Sequence, residues 1–366
     1  MVAMPQTHAS AKPTATRKDV ARLAGVSTAV VSYVVNGGPK RVSPATEAKV
    51  RNAIAVLGYR PNAAARALKL GSSEMLGMIV PDTTNPFFVM LAHAVEEAAA
   101  ERGYALLIAN SDASVATERS HIGNLASRRV DGVFLSSVLF EPDLRDLEAA
   151  EIPVVLLNHS AESPGFDSVG VDLQEGARAA VQHLAGHGHT RIGLVMGTNT
   201  AGGLDGREVG WLQGIRDAGL VPGPIIRVPF RRQAGLEAGR EIVAMPDRPT
   251  ALFASSDILA VGLLRAFHEA GVRVPEDLAI VSFDGSPEAE FSWPGLTTLA
   301  QPIQEMARAA VDALVGGGAK SNRIFPPTLV RRESCGCAGA SPGASDGGSP
   351  LKVREVPLRG TSGTVR

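Results

Sequence analysis

Nine side chains sit where short apolar runs end, and together they carry the groups that hold a small polar molecule. Asp82, Asn85, Phe87 and Phe88 follow the run LGMIV; Asn158 ends PVVLLN; Arg207 opens a helical segment; Phe230 closes IIRVPF; Asp257 follows ALFASS and Asp284 ends LAIVSFD. Carboxylate, amide and guanidinium groups bond hydroxyls, and a flat ring covers the apolar face of a sugar. Each residue also has a plainer reading, since Asp at a strand end often caps a helix and Phe often fills a core. Their grouping at strand ends favours a ligand site. A second stretch, QHLAGHGHTRIG, spaces His183, His187 and His189 as metal ligands could be spaced. Gly188 and the helix dipole explain it as an ordinary helix end. Cys335 and Cys337 are the two cysteines of the chain, too few for a disulfide framework and without the second pair of a zinc ribbon, and they read as a reduced pair with no role. No metal and no cofactor is expected. The glycines of GTNTAGG lack dinucleotide-fingerprint spacing, and neither G-x-S-x-G nor a P-loop occurs, so no catalytic residues are expected and the chain does not read as an enzyme.

The elements that position these residues alternate. From Met75, LGMIVPD, ALLIANS, DGVFLSS and PVVLLNH read as buried parallel strands, with helices over Pro86–Arg102, Ala116–Arg128 and Pro142–Ala150 between them. SVGVD, RIGLVMG, IIRVPF, ALFASS and LAIVSFD repeat the pattern. Two α/β lobes with Rossmann-like parallel sheets follow, and such sheets bind ligands beyond their carboxyl ends. The first twenty residues lack a secretory h-region and no apolar stretch reaches 18 residues, which points to a cytoplasmic protein without a membrane partner.

Residues 1–70 differ from the rest. They carry 11 Lys and Arg against Asp19 and Glu47, a net +9, while the remainder carries 25 against 35, a net −10. The near-neutral total of −1 therefore hides a basic head suited to phosphates. Within it, TRKDVARLAGVSTAVVSYVVN reads as two short helices. Thr16 and Asp19 make a capping box, Val20, Leu23 and Ala24 an apolar stripe, and Gly25 a left-handed stop. Ser27 caps a second helix with Val30, Val31 and Val34 inward and Thr28, Ala29, Ser32 and Tyr33 outward. A third helix starts at Ser43–Pro44 and ends at Leu57 before Gly58, its Val50, Ile54 and Leu57 completing a small core. Pro61 breaks the chain, and Asn62 can cap the short segment AAARALKL, which is too short to be stable alone.

DVARLAGVSTAVVSYVVNG, VSPATEAKV and LGYRPNAAARALK, in that order, resemble the lactose-repressor/galactose-repressor (LacI/GalR) family of bacterial transcription regulators, and the likeness runs to about Ser334. The resemblance implies an N-terminal all-α helix-turn-helix domain followed by a periplasmic-binding-protein-like core whose chain crosses between lobes three times, placed near Ser160–Val169, Asp284–Thr298 and Gly316–Phe325. The expected division is 1–15 disordered, 16–60 helix-turn-helix, 61–71 hinge, 72–335 effector-binding and dimerisation core, and 336–366 disordered tail.

The DNA-facing residues implied are Thr16, Ser27, Thr28, Ala29, Ser32, Tyr33 and Asn36, with Asn62, Ala63, Arg66, Leu68 and Lys69 in a hinge helix whose Leu68 wedges into the minor groove. Thr28, Ala29 and Tyr33 stand where the family reads base edges. Many relatives have Arg at the position of Tyr33, and tyrosine cannot make the bidentate guanine contact of arginine. Ligand roles carry over most firmly to Arg207 and Asp284, then to Phe87, Phe230, Asn158 and Asp257. The reading is a ligand-responsive regulator, a repressor of carbohydrate-metabolism genes, binding double-stranded, pseudo-palindromic operator DNA as a homodimer; no C-terminal leucine heptad suggests a tetramer. A transporter's sugar-binding protein, which has no use for a basic head, and a regulator of a non-sugar pathway are the alternatives.

Overall fold

The computed structural model describes residues 15–36, 41–60, 71–137, 142–158, 165–198, 204–317, 320–337 and 353–357. The chain divides into two units between residues 73 and 74. The first contains α1 (Arg17–Ala24), α2 (Thr28–Asn36) and α3 (Pro44–Leu57). Thr16 and Asp19 form a reciprocal capping box at α1, and Gly25, at φ 66°, ends that helix in a conformation that costs a residue without Cβ little. The Ser27 hydroxyl accepts from Val30 N at 3.3 Å, and the Ser43 hydroxyl from Thr46 N at 3.3 Å. Val20, Ala21, Val31, Val50, Ala53 and Tyr59 form the core, with Val30, Val34, Ile54 and Leu57 packed on it. Leu23 is 54% exposed, which corrects its place in the inward stripe. The small Ala21 lies inward instead, one residue on from Val20. Residues 61–70, and with them the hinge residues Asn62, Ala63, Arg66, Leu68 and Lys69, lie outside the described residues.

In the second unit, β1 (Met75–Val80), α4 (Pro86–Glu101), β2 (Ala105–Asn110), α5 (Val115–Ser127), β3 (Gly132–Leu135), α6 (Arg145–Ala149), β4 (Val154–Leu157) and β5 (Asp167–Val171) build one lobe. The next lobe follows with α7 (Leu173–Gly186), β6 (Ile192–Gly197), α8 (Gly206–Asp217), β7 (Ile225–Val228), α9 (Arg232–Ala244), β8 (Ala251–Ala254), α10 (Asp257–Glu269), β9 (Ala279–Asp284), α11 (Pro287–Phe291) and β10 (Thr297–Ala300). Then come α12 (Ile303–Gly316), β11 (Ser321–Phe325), β12 (Thr328–Val330), a 3-10 turn (Glu333–Cys335) and β13 (Arg354–Pro357). Among the described residues, one sheet runs β13-β11-β5-β4-β3-β1-β2 and the other β12-β10-β9-β8-β6-β7. All pairings are parallel except β11–β13 and β10–β12. Helices cover both faces of each sheet, so the central strands are apolar on both sides.

The sheet order corrects the three crossings. β5 still pairs with β4, β10 with β9, and β11 with β5, so the chain changes lobe at about residues 172, 301–302 and 326–327. Each expected crossing lay one strand too early, because a short strand that closes one sheet looks locally like the start of the next. The expected tail also contains structure: Arg354–Pro357 pair antiparallel with β11, and Arg323 Nε donates to Glu355 Oε1 at 3.1 Å. Among the described residues, no helix is long and apolar enough to cross a membrane.

Candidate functional site

Strand order reverses at β1–β3 in one sheet and at β6–β8 in the other, which places a crevice beyond the carboxyl ends of each. The two crevices meet in a cleft of about 340 Å³. Asp82, Asn85, Phe87, Phe88, Ser136 and Asn158 line it from the first lobe, and Thr198, Asp205, Arg207, Phe230, Ser256, Asp284 and Gln301 from the second lobe and its crossing. Several of these residues have structural duties as well. Asp82 Oδ1 accepts from Thr84 N and Oγ1 at 2.8 and 2.7 Å, and Asn85 Oδ1 caps α4 by accepting from Phe87 N at 3.1 Å. Phe87 is buried in the first lobe's core with Phe88 edge-on at 5.0 Å, which leaves the half-buried Phe88 nearer solvent.

Arg207 is the centre of the polar wall. Its Nε and Nη2 donate to Asp205 Oδ1 and Oδ2 at 2.9 and 2.8 Å, and Nη1 donates to the Ser255 carbonyl at 2.8 Å. The guanidinium carbon lies 5.3 Å from the Phe230 ring centroid, a cation–π contact. Gly197 makes room for that ring: a Cβ there would lie 1.8 Å from Phe230 Cε2. Burial opposes both charges of the Arg207–Asp205 pair, yet pairing prevails and holds Asp205 below the usual carboxylate range and Arg207 above its own.

Asp284 has φ 117°, a strained backbone at the end of β9. Gln301 Nε2 donates to its Oδ1 at 3.0 Å. Burial, then the neighbouring charge of Asp257, pushes the Asp284 carboxyl well above the usual range. Asp257 itself does not line the cleft, which corrects its reading as a ligand residue. Its carboxylate is buried and accepts from Ser282 Oγ at 2.6 Å, Ser286 N at 2.6 Å and Thr298 Oγ1 at 2.8 Å. It ties the loop after β9 to β10. The sequence reading missed Asp205, Ser136, Thr198, Ser256 and Gln301. Only Asp205 carried a local signal, as a helix cap two residues before an arginine. Ser256 Oγ and Gln301 Oε1 are buried with no hydrogen-bond partner among the described residues. Buried polar atoms at a cleft are ordinarily satisfied, so a polar ligand or water has two positions to fill.

A raised carboxyl in the folded protein stabilises it below the unfolded pKa and loses that contribution as pH rises through the folded value. Asp284→Asn keeps an acceptor for Gln301 and removes the buried charge. It is expected to stabilise the unliganded protein near neutrality, the advantage vanishing as pH falls toward 4, as measured by denaturant unfolding at several pH values. A constant difference across that range would remove the titration from the account.

In the first unit, Thr16, Ser27, Thr28 and Ala29 are exposed, and Ser32 and Tyr33 are half-buried. Asn36 is the last residue of α2. The seven described Lys and Arg of this unit, Arg17, Lys18, Arg22, Arg41, Lys49, Arg51 and Arg60, are all exposed. Its two acids are already paired, Asp19 with Arg22 at 3.3 Å and Glu47 with Arg51 at 2.6 Å.

Family models match this arrangement in both units: "Bacterial regulatory proteins, lacI family" over residues 16–62 and "Periplasmic binding protein-like domain" over 181–335. The HTH-type transcriptional repressor PurR of Photobacterium profundum is 36% identical over 329 residues, covering 87% of this chain and 98% of its own. The chain belongs to the lacI family of bacterial regulatory proteins. This lacI-family chain is also similar to the solved structure of the lac repressor dimer bound to operator and the anti-inducer ONPF, at TM-score 0.77 and 27% identity over 88% of this chain and 99% of that one. A transcriptional regulator CelR–cellobiose complex matches at TM-score 0.64 and 31% identity over 87% and 99%. The lacI-family protein is thus a ligand-responsive DNA-binding regulator and not an enzyme, with its helix-turn-helix in α1–α2.

Proposed function

We propose that this protein is a sugar-responsive repressor of carbohydrate-metabolism genes that acts in the cytoplasm as a homodimer on a pseudo-palindromic operator. The cleft carries the reading: an arginine fixed by Asp205, stacked on Phe230 and facing Asp284, with two buried polar atoms still to be satisfied. A sugar supplies the matching chemistry, hydroxyls for the polar wall and a C–H face for the ring. The CelR–cellobiose complex adds support by its likeness. Thr28, Ala29 and Tyr33 would read base edges, Thr28 with a hydroxyl and a methyl, Ala29 with a methyl suited to thymine and Tyr33 with one hydroxyl. The hinge residues Asn62 to Lys69 would meet the minor groove, with Leu68 as the wedge.

Calorimetry with pentoses, hexoses and disaccharides, cellobiose among them, tests the ligand class. At least one is expected to bind one-to-one, and Phe230→Ala to weaken it about tenfold or more through loss of the stacked ring. If no sugar binds while purines or other non-sugar metabolites do, the repressor serves another pathway.

A further inference from the structure

We propose that His183, His187, Cys335 and Cys337 form a tetrahedral site for a thiophilic divalent cation such as Zn²⁺, outside the effector cleft. The fold assembles these four residues from opposite ends of the second lobe. His183 and His187 are four residues apart at the end of α7, on one face of the helix. Cys335 closes the 3-10 turn and Cys337 follows two residues later. Their ligand atoms all lie within 4.8 Å of one another. Cys335 Sγ is 3.2 Å from His183 Nε2, and Cys337 Sγ is 3.6 Å from His183 Nε2 and 3.4 Å from His187 Nε2. With Zn–S near 2.3 Å and Zn–N near 2.0–2.1 Å, a tetrahedral ion separates its sulfur and nitrogen ligands by about 3.5 Å. The observed spacings bracket that value.

The surroundings hold the set in place before any ion arrives. Ser334, beside Cys335 in the turn, donates through Oγ to the Ile280 carbonyl at 2.7 Å and accepts from Thr297 N at 2.9 Å, which pins the Cys-x-Cys turn to β9 and β10. The Thr297 hydroxyl lies 3.0 Å from Cys335 Sγ, placed to donate to a thiolate ligand as an outer partner. The carboxyl end of a helix also favours a cation. His189, the third histidine of the stretch, faces elsewhere, its Nδ1 3.0 Å from Thr250 Oγ1.

The ligand chemistry selects the ion. Two thiolates and two imidazoles suit Zn²⁺ and related soft metals, whereas Mg²⁺ and Ca²⁺ take oxygen ligands. Four protein ligands leave no open position, so the ion's role is structural: it joins the end of α7 to the turn that follows the last strand of this lobe. The sequence reading, which took histidines and cysteines separately, missed that each pair supplies the other's absent half.

The test uses the full-length protein, reduced and stripped of metal, titrated with Co²⁺. One ion per chain is expected, with the intense visible bands of tetrahedral Co²⁺ and a near-ultraviolet thiolate-to-cobalt band, both bleached by equimolar Zn²⁺. Cys337→Ser and His187→Gln alter the less buried ligands and should each weaken binding by more than the roughly 10–100-fold that loss of an outer partner costs. His189→Gln should bind as the parent does. A pale octahedral spectrum without the thiolate band in the parent protein overturns the site, as does unchanged affinity in both ligand variants.

Discussion

Raising the salt concentration from about 50 to 200 mM is expected to weaken operator binding by about 10³–10⁵-fold, the loss typical of a protein that makes six to ten phosphate contacts. The expectation rests on how charge is distributed. Residues 1–70 carry a net +9 while the remaining chain carries −10, so attraction to DNA is concentrated on one small unit. Its seven described basic residues are exposed, and only Arg22 and Arg51 have an acidic partner within the unit among the ion pairs described. A dimer doubles the number available. Tyr33→Ala should leave this salt slope unchanged while costing about 1–3 kcal/mol on the operator and little on random duplex. Fluorescence anisotropy on both duplexes reads all of these quantities. A nearly flat salt dependence would deny the basic unit its role, and equal losses on both duplexes would deny Tyr33 a part in base reading.

Arg207→Ala is expected to cost about 3–5 kcal/mol of stability and to abolish sugar binding. Arg207 donates three hydrogen bonds to Asp205, from its backbone N, Nε and Nη2, and the two side chains are only 14% and 18% exposed. Removing the guanidinium leaves the largely buried Asp205 carboxylate without its counter-ion, held by the backbone N–H of residue 207 at the helix cap. The Phe230 ring loses its stacked cation at the same time. Replacing both charges, Asp205→Asn with Arg207→Met, should recover much of the stability, because an uncharged pair of similar volume avoids the stranded ion. It should not recover the ligand. Denaturant midpoints for the parent, single and double variants separate the two effects; a single variant as stable as the parent would show that the pair is not coupled in the way the hydrogen bonds imply.

Features governed by neighbours in the chain could be read directly from residues. The Thr16–Asp19 capping box, the Gly25 stop, the Ser43–Pro44 start and the near-continuous apolar strands all depend on contacts within a few positions. The strand-end residues of the cleft were legible for the same reason, since a sheet's carboxyl edge collects whatever follows each strand. What escaped depends on distant parts of the chain. Nothing in DSVGV says that it pairs with β4 and completes the first sheet, so each crossing was placed one strand early. Asp257 resembled the other strand-end acids, but its carboxylate is spent on Ser282, Ser286 and Thr298, two of which lie on strands formed later in the chain. Leu23 and Ala21 both fit a helical stripe within one residue, and only packing against α2 and α3 chooses between them. The edge strand Arg354–Pro357 is four residues long and draws its definition from β11.

A molecule bound in the Arg207–Asp284 cleft is expected to change the affinity of the separate basic unit for DNA. A ligand can do this only through different affinities for the two states, a coupling typically about 1–3 kcal/mol or roughly 5–150-fold. The most direct measurement is an operator titration at fixed salt, with and without the sugar identified by calorimetry, on the parent protein and on Phe230→Ala, which lacks the stacked ring and leaves the Arg207–Asp205 pair in place. A shift of that size is expected in the parent, and in Phe230→Ala the same affinity without sugar and a clearly smaller shift at a sugar concentration just sufficient to saturate the parent. Operator affinity that is indifferent to the bound sugar in the parent, or an equal shift in both proteins at that concentration, would contradict this coupling.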